Sequence, residues 1–218
     1  MSKKHNTRVR AVSKQANKRK QSQDAIMDAA RDEFIQQGFK GATVQAIADK
    51  ANMPKANVLY YYKNKENLYH KVLEQTLELW DTAIGDINLE DGPRVALESF
   101  IGAKVDIAFE NPKASKIYAM EIIQGAQHID NFDNFARVYL RNWVKEKSAI
   151  FEYWMNEGKM AKIDPVKLIF LIWSTTQHYA DFETQILNIT NKREYEEEDK
   201  AQVKAFLISF ILRGLDIG

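Results

Sequence analysis

Side chains suited to a nucleic-acid duplex crowd into one stretch of the chain, from Thr43 to Leu68. Lys55, Asn57, Tyr60 and Tyr61 supply hydrogen-bond donors and ring edges of the kind that meet base edges in a groove. Lys63 and Lys65 follow at the start of the next helix, where free backbone N–H groups also attract phosphate. A second group lies far down the chain. Trp173 and Gln177 are spaced i, i+4 and so are neighbours on one helix face. A flat indole beside an amide that both donates and accepts suits a planar heterocycle with an imide edge. The same pair would equally serve as a packed indole next to an amide hydrogen-bonded in an interface between two copies. Other chemistry is hard to build. The four histidines (His5, His70, His128, His178) are scattered, and only His178 and Asp181, at i, i+3, have metal-like spacing, which a plain surface contact also explains. There is no cysteine, no Gly-rich phosphate loop and no Gly-x-Ser-x-Gly elbow. The pattern points away from catalysis, with no cofactor and no metal expected.

The elements that must position these groups are helices. Nine glycines and four prolines in 218 residues are few, and apolar positions recur at spacings of three and four. Gly92-Pro93, Asn111-Pro112 and Asp164-Pro165 each precede an apolar-periodic stretch, as expected of proline in a first helical turn, and Pro54 does the same after Asn52-Met53. The spacing predicts a first helix from Gln21 to Gln37, ending at Gly38. A short helix over 44–50 follows, capped by Thr43, with Val44, Ile47, Ala48 and Ala51 inward. Asn52 can take the left-handed conformation that a tight inter-helix turn requires. A third helix over 54–61 and a fourth from Asn64 to about Ile87 come next, then helices near 93–110, 112–124, 131–157, 165–190 and 197–216, about nine in all. Two short helices joined by a tight turn fit a helix-turn-helix, whose second helix enters the major groove. A helical hairpin with a solvated charged face fits the same spacing.

Charge divides the chain. Residues 1–70 carry 14 Lys/Arg against 6 Asp/Glu, and residues 71–218 carry 17 against 24. Residues 1–23 hold eight basic side chains and no acidic one, so a disordered basic arm is expected over 1–20. Such polarity suggests that one end alone meets a polyanion, although a merely solubilising tail has the same charge pattern. The longest unbroken apolar run, Leu168–Trp173, is far shorter than the roughly 20 residues of a membrane span. The expectation is a cytoplasmic protein that makes no membrane contact.

Three blocks resemble the TetR family of bacterial transcriptional regulators: Ile26-x-x-Ala29-Ala30-x-x-x-Phe34-x-x-x-Gly38-Phe39, Thr43-Val44-x-x-Ile47-Ala48-x-x-Ala51 and Val58-Leu59-Tyr60-Tyr61-Tyr62-Lys63-Asn64-Lys65-Glu66-x-Leu68. The resemblance implies an all-α protein with a three-helix DNA-binding domain (21–66) and a larger effector-binding and dimerisation domain (67–218). It implies a homodimer on a palindromic operator whose DNA affinity a small ligand changes, most often as a repressor. Thr43, Lys55, Tyr61 and Lys65 match family positions that touch or abut phosphates. Pro54, Ala56, Asn57 and Tyr60 match positions facing bases or lining the groove. Asn52 and Pro54 stand where the family commonly has Gly and Ser, so a hydroxyl cap is missing, and Tyr62 replaces the usual Phe.

Because residues 24–70 balance at six basic and six acidic side chains, the arm is expected to supply much of the attraction to DNA, through Lys14, Lys18, Arg19 and Lys20 nearest the first helix. The run Trp173-Ser174-Thr175-Thr176-Gln177-His178-Tyr179-Ala180-Asp181-Phe182 looks like the regulators of pyrimidine utilisation within the family, the RutR group. That likeness implies uracil or thymine as effector, surrounded by Trp80, Trp173 and Gln177, with Tyr118 and Tyr179 on the rim. The last two helices carry more apolar surface than one stripe each, as a dimer bundle requires. Two other functions compete: a related sensor of hydrophobic drugs or lipid-like molecules, and a small-molecule-binding or enzymatic protein without DNA binding.

Overall fold

Residues 2–83, 87–129 and 135–218 are described by the computed structural model, and side chains are considered at 17–80, 87–129 and 138–218. Helix α1 (Ser2–Gly41) is continuous through Gln37 and bends at Gly38, whose φ of 66° suits a residue without Cβ. The expected disordered arm is thus corrected: residues 2–20 extend the first helix outward. They contain no glycine or proline, and their Ala, Gln, Lys and Arg are good helix formers. Helix α2 (Val44–Lys50) starts where Thr43 Oγ1 accepts the Ala46 N–H at 3.1 Å. The turn to α3 (Lys55–Tyr62) passes through Asn52 at φ 52°. Asn64 Oδ1 then accepts the Asn67 N–H at 2.8 Å and starts α4 (Lys65–Ala83).

The chain divides into two compact units, Met1–Glu74 and Gln75–Gly218. This boundary lies beyond the expected 66/67 because Leu68, Tyr69 and Val72 complete the first core. They join Ile26, Ala30 and Phe34 of α1, Ile47 and Ala48 of α2 and Val58 of α3, all buried. Burying each large side chain contributes about 1.5–3 kcal/mol. Phe34 meets Tyr69 edge-on at 4.7 Å between ring centroids, which fixes α1 against α4.

The second unit is built around α5 (Gly92–Glu110), preceded by a 3-10 turn at Leu89–Asp91. Leu97, Phe100, Ile101 and Val105 are all fully buried, so α5 is covered on more than one face, as a central helix must be. Around it stand α6 (Pro112–Ile123), α7 (Arg141–Asn156), α8 (Pro165–Asp181), α9 (Glu183–Ile189) and α10 (Glu197–Gly214). Phe151 and Trp154 of α7, Ile169 and Ile172 of α8, and Leu207 and Ile211 of α10 fill the core. Ten α-helices and no strand occur among the described residues.

Three long helices foreseen in the sequence end differently. Ile87 lies outside any helix, so α4 does not reach it. The segment foreseen over 131–157 is a π-type turn at Phe135–Leu140 leading into α7, with 130–134 outside the described residues. The segment foreseen over 165–190 breaks at Phe182 (φ −112°, ψ 24°), and Glu183 opens a new first turn where its charge complements the helix dipole. Asp164 accepts the Val166 and Lys167 N–H groups, and Glu196 and Asp199 form a capping box. Among the described residues no helix is long and apolar enough to cross a membrane.

Candidate nucleic-acid interface and ligand site

Val58 is the fully buried residue of α3, Tyr61 and Tyr62 are half-buried, and the other side chains of the helix are exposed. Lys55, Ala56, Asn57 and Tyr60 are exposed, and Tyr60 leaves 77% of its surface in solvent. Tyr61 is half-buried, edge-on to Tyr60 at 5.3 Å, so one tyrosine braces the other. Pro54 stands at the N-cap, and no side chain caps the helix. Asn57 N–H donates to the Pro54 carbonyl at 2.9 Å, and the Lys55 and Ala56 N–H groups keep their capacity for an external acceptor. Tyr62, where a phenylalanine is usual, is half-buried, and burial with the neighbouring Asp24 charge raises its pKa.

The lysines of this unit divide into two kinds. Lys50 is paired with the buried Glu33 at 2.8 Å and with Gln36 at 2.9 Å, tying α2 to α1. Lys65 is expected at phosphate, but its ammonium donates to the Phe39 carbonyl (2.8 Å) and the Ala42 carbonyl (3.1 Å), with Lys40 O at 3.4 Å. It also lies 4.6 Å from the Phe39 ring centre. An ammonium has three protons, and all three face this turn. Lys65 therefore holds the loop after α1, a role hidden in sequence because its partners are backbone oxygens more than twenty positions away. Lys55 and Lys63 are exposed, as are Lys18, Arg19 and Lys20; at Lys14 the side chain lies outside the described residues. Lys63 adopts φ 60° at the end of α3, an uncommon conformation for a side chain with Cβ.

In the second unit the structure brings Trp80 and Tyr118 together, ring centres 4.3 Å apart. Burial raises the Tyr118 hydroxyl pKa to about 12. Trp173 sits with Trp143 and Phe170, each at 5.8 Å, and its Nε1–H is buried without an acceptor among the described residues. Gln177, one turn on, is half-buried and makes no hydrogen bond among the described residues. Unmet buried donors are rare and need an explanation. Tyr179 stands apart from these: its ring packs on Phe109 at 5.9 Å, and its carbonyl accepts the Tyr195 hydroxyl. His178 stacks on Phe182 and Asp181 accepts from Ser115, so the pair with metal-like spacing is engaged elsewhere.

One residue escaped the sequence reading. Lys104 of α5 is 4% exposed, with its ammonium 4.8 Å from the Trp80 ring centre. Burial pulls its pKa down to about 8, opposed by the charge of Asp181. Asp181 is drawn the other way: burial raises its pKa, against a 2.6 Å hydrogen bond from Ser115 Oγ. The signal for Lys104 is present in the sequence, since it occupies a position on the apolar stripe Leu97–Ile101–Lys104–Ala108.

A bundle of helices with an exposed, tyrosine-bearing third helix and a second unit holding unmet polar groups defines a ligand-responsive DNA-binding regulator. Residues 26–72 match the family described as bacterial regulatory proteins, tetR family, and residues 73–217 match the C-terminal region of YcdC-like proteins. The chain is 37% identical over 182 residues to the HTH-type transcriptional regulator RutR of Escherichia coli K12, covering 84% of each protein. Its fold is similar to a tetR-family regulatory protein from Rhodococcus RHA1 (TM-score 0.67, 20% identity, 88% of this chain and 95% of that one). It is also similar to AibR solved with isovaleryl coenzyme A and operator DNA (TM-score 0.63, 15% identity, 87% and 97%). The chain belongs to the TetR family of transcriptional regulators.

Proposed function

We propose that this regulator is a homodimeric repressor that leaves its palindromic operator when a pyrimidine base, uracil or thymine, occupies the second unit. The observation that carries the ligand reading is the pair on α8: a buried Trp173 N–H with no acceptor, one turn from a Gln177 amide with no partner among the described residues. A pyrimidine imide edge offers the matching donor and acceptors, and its flat ring suits an indole wall. Similarity to the Escherichia coli regulator supports the same reading. The protein acts in the cytoplasm and catalyses no reaction.

For dimerisation the support is the outer face of the last helices. Phe206 and Phe210 of α10 stack at 5.8 Å and are 59% and 64% exposed, and Phe170 and Phe182 are exposed too. Contiguous exposed aromatics of this kind mark a protein interface. Leu207, Ile211 and Leu215 of the same segment are buried within the chain's own core. Paired recognition helices must sit about 34 Å apart to reach successive major grooves. Helix α4 carries residues of both units, and a ligand touching Trp80 acts through it on that spacing.

Gln177→Leu tests the reading. The variant should bind operator as the wild type does and lose release by uracil. Uracil release at wild-type concentration from Gln177→Leu would contradict it.

A further inference from the structure

Lys104 is a buried lysine of the second unit whose ammonium meets an aromatic face where a hydrogen-bonding partner would be expected. Among the described residues no hydrogen bond or ion pair reaches its ammonium; what faces it is the Trp80 ring. Asp181 is close enough to feel the charge, yet its carboxylate is held by Ser115. Two positions further along α5, the same fold answers charge fully: Asp106 receives Lys204 at 2.7 Å and Lys200 at 3.1 Å. A side chain needed only for packing at this stripe position would be Leu or Met, since a buried unpaired charge costs stability. Trp80 carries Tyr118 against it as well, so three elements, α4, α5 and α6, converge on one indole.

We propose that Lys104 is the polar anchor of the effector, its ammonium donating to a carbonyl or carboxylate oxygen of a flat ring held against Trp80. This rests on the ligand reading above and adds the residue that selects for an oxygen acceptor. An ammonium has three donors and no acceptor, so the ligand edge it meets must be an oxygen or another lone-pair group. Lys104 remains cationic at neutral pH, since its pKa is about 8. An ammonium beside an indole face matches a flat ring bearing an oxo group better than a purely apolar ligand.

The test uses the full-length protein, with uracil and thymine as neutral dicarbonyl probes and orotate as a carboxylate probe. Binding is followed by calorimetry, and ligand-free melting is recorded for wild type, Lys104→Met and Lys104→Gln. Lys104→Met should lose about 10- to 100-fold in affinity for whichever probe the wild type binds, with Lys104→Gln falling less because its amide still donates. Ligand-free Lys104→Met should melt about 2–4 °C higher than wild type, because an unanswered buried charge has gone. Binding by Lys104→Met within about threefold of wild type would overturn the proposal. So would a lower melting temperature for that variant, which would make Lys104 a support of the fold. If the wild type binds none of the three probes, the pyrimidine reading and the anchor role of Lys104 fall together; if the wild type binds and Lys104→Met binds equally well, the anchor role alone falls.

Discussion

In the first unit Lys65 is grasped by backbone carbonyls and Lys50 lies against Glu33, whereas in the second unit the buried Lys104 ammonium faces the Trp80 indole and makes no hydrogen bond or ion pair among the described residues. The reading unit uses its interior charges to fix a turn and a helix pair, and presents other cations on its surface. The second unit keeps a lysine ammonium against an indole face, and elsewhere in the same unit a buried Trp173 N–H without an acceptor among the described residues. A burial penalty without compensation within the fold marks where a partner from outside supplies the compensation.

Methionine at the two lysines sharpens this contrast, because the signs should be opposite. Lys65→Met takes the shared ammonium donor away from the turn carbonyls and should cost about 2–4 kcal/mol in denaturant unfolding, with operator binding falling alongside. An unchanged midpoint would remove Lys65 from the structural side of the comparison. Deleting residues 1–20 should weaken operator binding about tenfold or more and flatten its salt dependence by about 0.9 for each phosphate no longer neutralised. Equal slopes with and without those residues would mean that α3 and its neighbours supply the attraction themselves.

Lys104→Met should stabilise the ligand-free protein by about 1 kcal/mol near neutral pH. The pH dependence has a definite sign. Below the folded pKa of about 8, both folded and unfolded Lys104 are protonated and the burial penalty is complete. Between 8 and the ordinary 10.5 the folded chain releases the proton first, so stability rises with pH. The wild type should therefore close its deficit against Lys104→Met over that interval, read as the difference in melting temperature. A deficit independent of pH would contradict the unanswered charge. Thr43→Ala should have the smallest effect, about 1 kcal/mol, through loss of the α2 cap.

Much of the reading unit is legible in the sequence because its signals are local. Thr43 accepts from Ala46 three residues on, Asn52 takes the positive φ of a tight turn, and Gly38 bends the chain. Ile47, Ala48 and Val58 are buried as their spacing implies. What the sequence hides depends on distance or on continuation. Lys65 reads as a phosphate contact because its carbonyl partners are remote in sequence. The basic arm reads as disordered by charge, but it follows on from an anchored helix and has no residue to stop it. The break at Phe182 carries no glycine or proline. Trp173 and Gln177 are read from their spacing, whereas Trp80 and Tyr118 rest on resemblance and are seen ring to ring. Lys104 is the opposite case, since a lysine on an apolar stripe is a local signal that the spacing alone displays.

The central claim is that occupancy of the second unit lowers the affinity of the first for DNA. Fluorescence anisotropy of a labelled palindromic duplex, obtained by selection from random sequence, tests it directly when the full-length protein is titrated with and without saturating uracil. The account predicts a shift of about 5- to 150-fold to weaker binding, a coupling of about 1–3 kcal/mol. Superimposable curves with and without uracil, and again with thymine, would contradict it.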